Sequence, residues 1–199
     1  MTQVLAFGRW SVEGITVADE GLKRYVSLAP RLVPRSGGVS ASQRFHKSKY
    51  FILERLMNKL FVPGRKGKKH FRSSGHIPGK TAHVYNVVLG ALVELEKKTG
   101  KNPIEVFVRA LENGAPREEV IAIEYGGARY PKSVECSPQR RVDIALKNFV
   151  QGAYGRSFKS KTTITQALAG ELFDAYQSST KSNAVAKKYE GERQADSSR

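Results

Sequence analysis

The stretch from Asn102 to Tyr154 constrains this chain most. It reads NPIEVFVRALENGAPREEVIAIEYGGARYPKSVECSPQRRVDIALKNFVQGAY, and its hydrophobic period changes from helical to alternating and back. Asn102 stands at an N-cap, Pro103 at the first helical position, and Glu105 where a capping carboxylate reaches back. That helix is expected to end at Asn113-Gly114, a pair suited to a left-handed terminator. From Glu118 to Tyr125 the residues alternate, with Ile121, Ile123 and Tyr125 on one face. Gly126-Gly127 supplies positive φ twice, as a two-residue hairpin turn requires, and the return run is Ala128 to Cys136. Pro131 has no amide donor, so the return strand keeps an unpaired edge. Ser137-Pro138 opens the next helix, with Val142, Ala145, Leu146, Phe149, Val150 and Ala153 on one face and Arg140, Arg141 and Lys147 among its polar residues. No third strand is evident nearby, and a lone two-stranded hairpin is marginal in water. The ribbon is therefore expected to rest on a helical body and on a partner.

Charge says what kind of partner. The 199 residues hold 34 Lys+Arg against 18 Asp+Glu, a net charge of +16. Such an excess points to a polyanion. It is uneven: Gly21 to Val93 holds 15 Lys/Arg and one acid, Glu54, so a folded domain presents one basic side. A membrane partner is not expected, because no run of ~18 apolar residues and no signal peptide is visible. The one cysteine, Cys136, excludes an intrachain disulfide framework and a cysteine-based zinc site. It fits a reducing compartment and reads as a small apolar residue at a strand end.

Elsewhere the chain is punctuated by loops. Phe7 to Val17 reads as an extended arm that packs the single Trp10, and Asp19 is placed to cap a short helix through Glu20, Leu22, Tyr25 and Val26. Pro30 to Ser40 is loop. Ser42 to Phe61 reads as the first core helix, with Leu53, Leu56, Met57 and Leu60 at helical spacing and Arg44, Lys47, Lys49, Arg55 and Lys59 on its other side and entry. Val62 to Lys80 is a basic loop that cannot bury enough apolar surface to order itself alone. Thr81 to Lys98 is the clearest helix, ended by Gly100; Gly155 to Lys161 is a basic loop; Thr163 to Tyr176 is a further helix. Ala184 to Arg199 is a charged tail, helical at best when docked.

Several constellations invite a chemical reading. GHIPGKT (Gly75 to Thr81) resembles a phosphate-binding loop but is one residue short, and no apolar strand precedes it. Gly79, Lys80 and Thr81 still lie at a helix N-terminus, which favours a phosphate of any source. The histidines His46, His70, His76 and His83 lack the paired spacing of a zinc site. Glu118 and Glu119 are adjacent on a strand and point to opposite faces, which excludes joint acid/base work. Arg140-Arg141 sit in the first turn of a helix against the dipole preference, a conflict that bound phosphates would relieve. Around the Gly-Gly tip, Tyr125, Arg129 and Tyr130 are residue types that stack on unpaired bases.

The run from Asn102 to Ala153 resembles the universal small-subunit ribosomal protein seven family. It carries the family's N-P helix start, PR-x-E strand start, G-G turn, and V-x-C-S-P-x-R-R element leading into a long helix. FGRWS (Phe7 to Ser11), RFHKS (Arg44 to Ser48), ERLMNKL (Glu54 to Leu60), KTTITQALAGELFDAY (Lys161 to Tyr176) and the closing SNAVAKKYEGERQADSSR are similar to its archaeal and eukaryotic branch. Nearly the whole chain is covered, with the motifs in the family's order. Gly191 and Asp196 depart from the helix-favouring or basic residues expected in the tail, and the Val62 to Lys80 loop is longer than its bacterial counterpart.

The resemblance and the residue reading together imply a mainly α fold: a bundle of about six helices with one protruding two-stranded antiparallel β-hairpin, an extended N-terminal arm and a charged C-terminal tail. The expected divisions are an arm with a short helix over 1–40, one helical RNA-binding domain over 41–178 with the hairpin at 117–136, and a basic tail over 179–199. The implied role is structural and non-enzymatic, without cofactor or metal, in the cytoplasmic ribosome. The partners would be the 3′ major domain of small-subunit ribosomal RNA (rRNA), where the chain nucleates head assembly, with exit-site transfer RNA (tRNA), the messenger RNA (mRNA) exit, and other head and platform proteins nearby. Carried over by position, rRNA contact falls on Arg44, Lys47, Lys59, Gly79, Lys80, Arg117, Arg140, Arg141 and Lys147. The basic loops and helices add Arg35, Lys49, Arg55, Arg65, Lys66, Lys68, Lys69 and Arg156. The tip Gly126, Gly127, Ala128 and Arg129 would face the tRNA exit site, with Lys187, Lys188 and Arg193 of the tail nearby. The rival reading is an architectural DNA-binding protein that uses the ribbon in a groove; nucleotide hydrolysis ranks third.

Overall fold

The computed structural model describes residues 4–66, 69–70 and 79–199. Lys68, His76 and most of the GHIPGKT run lie outside the described residues, as do the side chains of Arg65, Lys66, Lys69 and His70. In chain order the elements are α1 (Glu20–Lys23), a 3-10 turn (His46–Lys49), α2 (Ile52–Leu60), β1 (Arg65–Lys66), β2 (Lys69–His70), α3 (Thr81–Thr99), α4 (Pro103–Gly114), β3 (Glu118–Tyr125), β4 (Ala128–Glu135), α5 (Pro138–Ser157), α6 (Ile164–Tyr176) and α7 (Asn183–Asp196). Among the described residues β3 and β4 pair only with each other, antiparallel, from Glu118 opposite Glu135 to Tyr125 opposite Ala128. The mainly helical body with one long ribbon is the expected architecture.

At the centre lies α6, against α3, α4 and α5. It can be surrounded because Ala167, Ala169 and Ala175 are buried there beside Leu168 and Leu172. A Cβ on Gly90 of α3 would come within 2.8 Å of the Thr165 Cγ2 methyl, which marks how closely α3 and α6 approach. Thr163 starts α6 with a reciprocal capping box to Gln166. Asn102 caps α4 by accepting the Ile104 N–H, and Asp19 caps α1 by accepting the Gly21 N–H. α3 ends where Gly100 turns left-handed at φ 65°. Trp10 is buried, and Phe7 packs edge-on to it at 6.3 Å and against Tyr85 at 5.1 Å, so the arm is part of the core.

Three elements differ most from the sequence reading, beside the short β1–β2 pair inside the expected Val62 to Lys80 loop and the run of α5 to Ser157 into the expected Gly155 to Lys161 loop. The helix expected over Ser42 to Phe61 is only Ile52–Leu60. Phe45 is left-handed at φ 58°, Tyr50 is extended, and Phe51 sits in the core while its backbone bridges to Ser27. Anchoring a fully buried phenylalanine against the arm outweighs continuing the i to i−4 bonds. Second, α4 does not end on a left-handed residue, since Ala115 is extended at φ −81°. Gly114 serves packing instead: a Cβ there would lie 3.1 Å from Phe149 Cζ and 3.2 Å from Ala184 Cβ. Third, the tail forms α7 through Gly191, with Ala184, Val185 and Ala195 buried. It packs on α5 and α4 and against β3, so the apolar contact it needs comes from within the chain.

Candidate nucleic-acid interface

α5 is apolar on one side and polar on the other for a full 20 residues, and its outward stripe runs Arg140, Asp143, Lys147, Gln151. Two clefts open along that stripe. One, of about 410 Å³, lies where the first turn of α5 meets Lys59 of α2, Tyr25 and Phe45; it is lined by Arg140, Asp143 and Lys147. The other, of about 520 Å³, lies between the middle of α5, Pro63-Gly64 and the start of α7; it is lined by Lys147, Gln151, Tyr154, Arg156, Lys181 and Lys187. Lys147 is exposed and borders both. Together the two clefts carry Lys59, Arg140, Lys147, Arg156, Lys181 and Lys187 against Asp143 and Glu171, and they share Lys147.

In the first cleft a single carboxylate gathers three cations. Asp143 lies 3.3 Å from Lys47 Nζ, 3.5 Å from Arg55 Nη2 and 3.8 Å from Lys59 Nζ. Lys47 and Lys59 remain well exposed, whereas Arg55 is only 4% exposed and donates to the Tyr25 carbonyl at 2.9 Å. Burial lowers the Arg55 pKa, and Asp143 opposes that shift. Arg55 therefore acts from the inside, joining α2 to α5.

The arginine pair at the start of α5 divides in the same way. Arg140 is exposed and forks onto Glu119 of β3, with Nε and Nη2 donating at 2.5 and 2.6 Å. Glu119 raises its pKa. Arg141 has 12% of its side chain exposed, donating through Nη2 to Asp19 at 2.6 Å and through Nε to the Pro116 carbonyl at 3.0 Å. Burial works against the charged form of Asp19, but Arg141, joined by the Gly21 N–H and Arg117, outweighs it and holds the carboxyl below its usual range. Protein carboxylates thus relieve the clash of these arginines with the helix dipole. Arg156 likewise serves the interior: it meets Asp174 at 2.7 Å and Glu171 at 3.1 Å. Glu171 is fully buried; burial raises its pKa, while the Ser182 hydroxyl and Ala184 N–H donate to it.

The other candidate residues scatter around these clefts. Arg35 and Lys49 are exposed, Lys49 donating to Gln43; Arg44 is exposed and lies 4.9 Å over the Phe45 ring. Gly79 and Lys80 lead into α3, Lys80 as its N-cap. Arg117 is exposed at the hairpin base. At the tip, Gly126 and Gly127 have φ 56° and 83°, Ala128 is exposed, and Arg129 lies 3.5 Å from Glu124. On α7, Lys187 pairs with Glu190 and Arg193 is exposed, while Lys188 is half-buried and donates to the Asn113 carbonyl at 3.1 Å. Burial lowers the Lys188 pKa. Sequence reading missed the acids that sort these cations, Asp19, Glu119, Asp143 and Glu171. They are separated from their partners by up to 122 positions, and no local pattern links them. Among the described residues no group of three or more His, Cys, Asp or Glu is arranged to hold a metal, and no helix is long and apolar enough to cross a membrane.

The family model described as "Ribosomal protein S7p/S5e" matches residues 22–199. The chain belongs to this family. It is 49% identical over 193 residues to the protein named "Small ribosomal subunit protein uS7" of Nanoarchaeum equitans, covering 97% of this chain and 98% of that one. To the protein of the same name from Archaeoglobus fulgidus it is 45% identical over 197 residues, covering 99% of this chain and 96% of that one. The family is the one the motifs resemble, in its archaeal form, and it is structural rather than catalytic.

Proposed function

We propose that this chain is a structural component of the small ribosomal subunit that grips rRNA with the polar side of α5. The observation that carries the reading is the pair of basic clefts meeting at Lys147. A family member of this kind works in the cytoplasmic ribosome, with rRNA and other ribosomal proteins as partners. Lys47, Lys59, Arg140, Lys147 and Lys187 supply cations in and beside the clefts, and phosphates displace counterions there. Arg55, Arg141 and Arg156 keep the elements that carry those cations in place.

The finer assignment is what the family resemblance implies. The RNA held by the body is the 3′ major domain, and fixing several of its helices in one arrangement lowers the entropic cost of later steps in head assembly. The hairpin, exposed along its outer part, is the part of the chain offered to exit-site tRNA and the mRNA exit. Ile121, Ile123, Tyr125 and Tyr130 share one of its faces and are 41%, 38%, 80% and 59% exposed, an unspent contact surface.

Nuclease footprinting of the full chain on small-subunit rRNA, with a salt titration, tests this. Protection is expected in the 3′ major domain, with affinity falling ~10³–10⁵-fold between 50 and 200 mM salt for about 6–10 phosphate contacts. Equal binding to duplex DNA would favour the ribbon-in-groove reading and overturn this one.

A further inference from the structure

The base of the hairpin is held from both sides. Glu118 and Glu119 are neighbours on β3 and face opposite ways. Glu119 takes the guanidinium of Arg140 from α5. Glu118 takes that of Arg199, which follows α7, with Nη2 donating at 2.8 and 3.0 Å to its two oxygens. The region around α7 also reaches the main chain at the hairpin base: Glu192 accepts the N–H of Arg117, just before β3, at 3.0 Å, and the Ser198 carbonyl accepts the Ser133 N–H of β4 at 3.2 Å. Beyond this stem every residue from 121 to 132 is exposed, so among the described residues the outer ribbon is held by its own ladder and the Arg129–Glu124 pair.

We propose that Arg199 and Arg140, gripping Glu118 and Glu119 from opposite faces, are positioning residues that aim the hairpin and so present its apolar face in one direction. Exposed ion pairs are individually weak, so they are suited to choosing a direction rather than to stabilising the body. A ribbon unsupported at its stem would sweep a cone. The tail is then part of the arm's mounting through Glu192, Ser198 and Arg199, a role independent of RNA binding at the α5 clefts.

Nitroxides at Ala128→Cys and Lys97→Cys of the full chain report the arm's direction as a distance distribution measured by pulsed electron spin resonance. Cys136 stays unlabelled at pH 7.5, because burial pushes its thiol up to about 11. Unsubstituted stem residues should give one narrow peak. Arg199→Glu and Glu118→Arg should each broaden it about twofold, as loss of local support allows, and the double exchange should narrow it again. rRNA affinity should stay unchanged in all three. An unchanged width in the single variants, or no recovery in the exchange, overturns the proposal. Loss of rRNA affinity with Arg199→Glu would make Arg199 an RNA contact and overturn it as well.

Discussion

Gly152→Ala is expected to destabilise the body although alanine is the better helix former. Gly152 lies inside α5, where its missing Cβ makes room for the buried carboxylate of α6. A Cβ there would sit 2.7 Å from both Cδ and Oε1 of Glu171 and 2.8 Å from Asn183 Cβ. Glu171 cannot swing aside, because Ser182, Ala184 and Arg156 hold it. Overpacking of this kind costs about 1–3 kcal/mol, and the helix gain from replacing glycine returns about 0.5–1 kcal/mol. Contacts of 2.7–2.8 Å against held atoms put the cost in the upper part of that range, about 2–3 kcal/mol, so the net loss, about 1–2.5 kcal/mol, lowers Tm by roughly 2–10 °C in a chain of this size. Gly191→Ala is the matched control: it is also helical, but nothing lies within 4 Å of its Cβ. It should raise Tm by about 1–4 °C. Thermal unfolding followed by circular dichroism reads both. A Gly152→Ala protein as stable as the parent would refute the claim that the α5–α6 approach is set by this contact.

The two arginines at the start of α5 should separate cleanly. Arg140→Ala leaves the helical dichroism intact and reduces the salt slope of rRNA binding by about 1, whereas Arg141→Ala strips Asp19 and the Pro116 carbonyl and costs about 1–3 kcal/mol of stability. The pH dependence has a definite sign. Arg141 holds the Asp19 pKa below its usual 3.8 in the folded chain, so its stabilisation is present above that value and lost as pH falls through the folded pKa. Acid unfolding should therefore begin at higher pH in Arg141→Ala than in the parent. Cys136 should react with a thiol reagent at pH 8 only after denaturant is added, since its thiol is pushed up to about 11; rapid reaction in the native protein would refute its burial.

Local chemistry made the hairpin, its Gly-Gly turn and the caps at Asp19, Asn102 and Gly100 legible in the sequence, because each is decided within a few residues. The start of α2 was not legible, since the competing contact of Phe51 with Ser27 comes from a segment 24 positions away. The site divides similarly. Lys47, Lys59, Arg140 and Lys147 stand out as basic and do line one face. That Arg55 and Arg141 turn inward and Arg156 is tied to Glu171 and Asp174 depends on acids elsewhere in the chain, and composition weighs all arginines alike. The same holds for the dipole conflict at Arg140-Arg141, which the sequence shows and the fold resolves with Glu119 and Asp19.

The full exposure of the ribbon from 121 to 132 separates two kinds of evolutionary freedom. No core residue comes from that segment, so its length and side chains can be exchanged without repacking the body. Grafting the outer ribbon of a relative onto this stem should leave unfolding of the body unchanged while replacing the surface offered to its partner. The body and the arm can then follow different lineages of partners, one constrained by packing and the other only by what it touches.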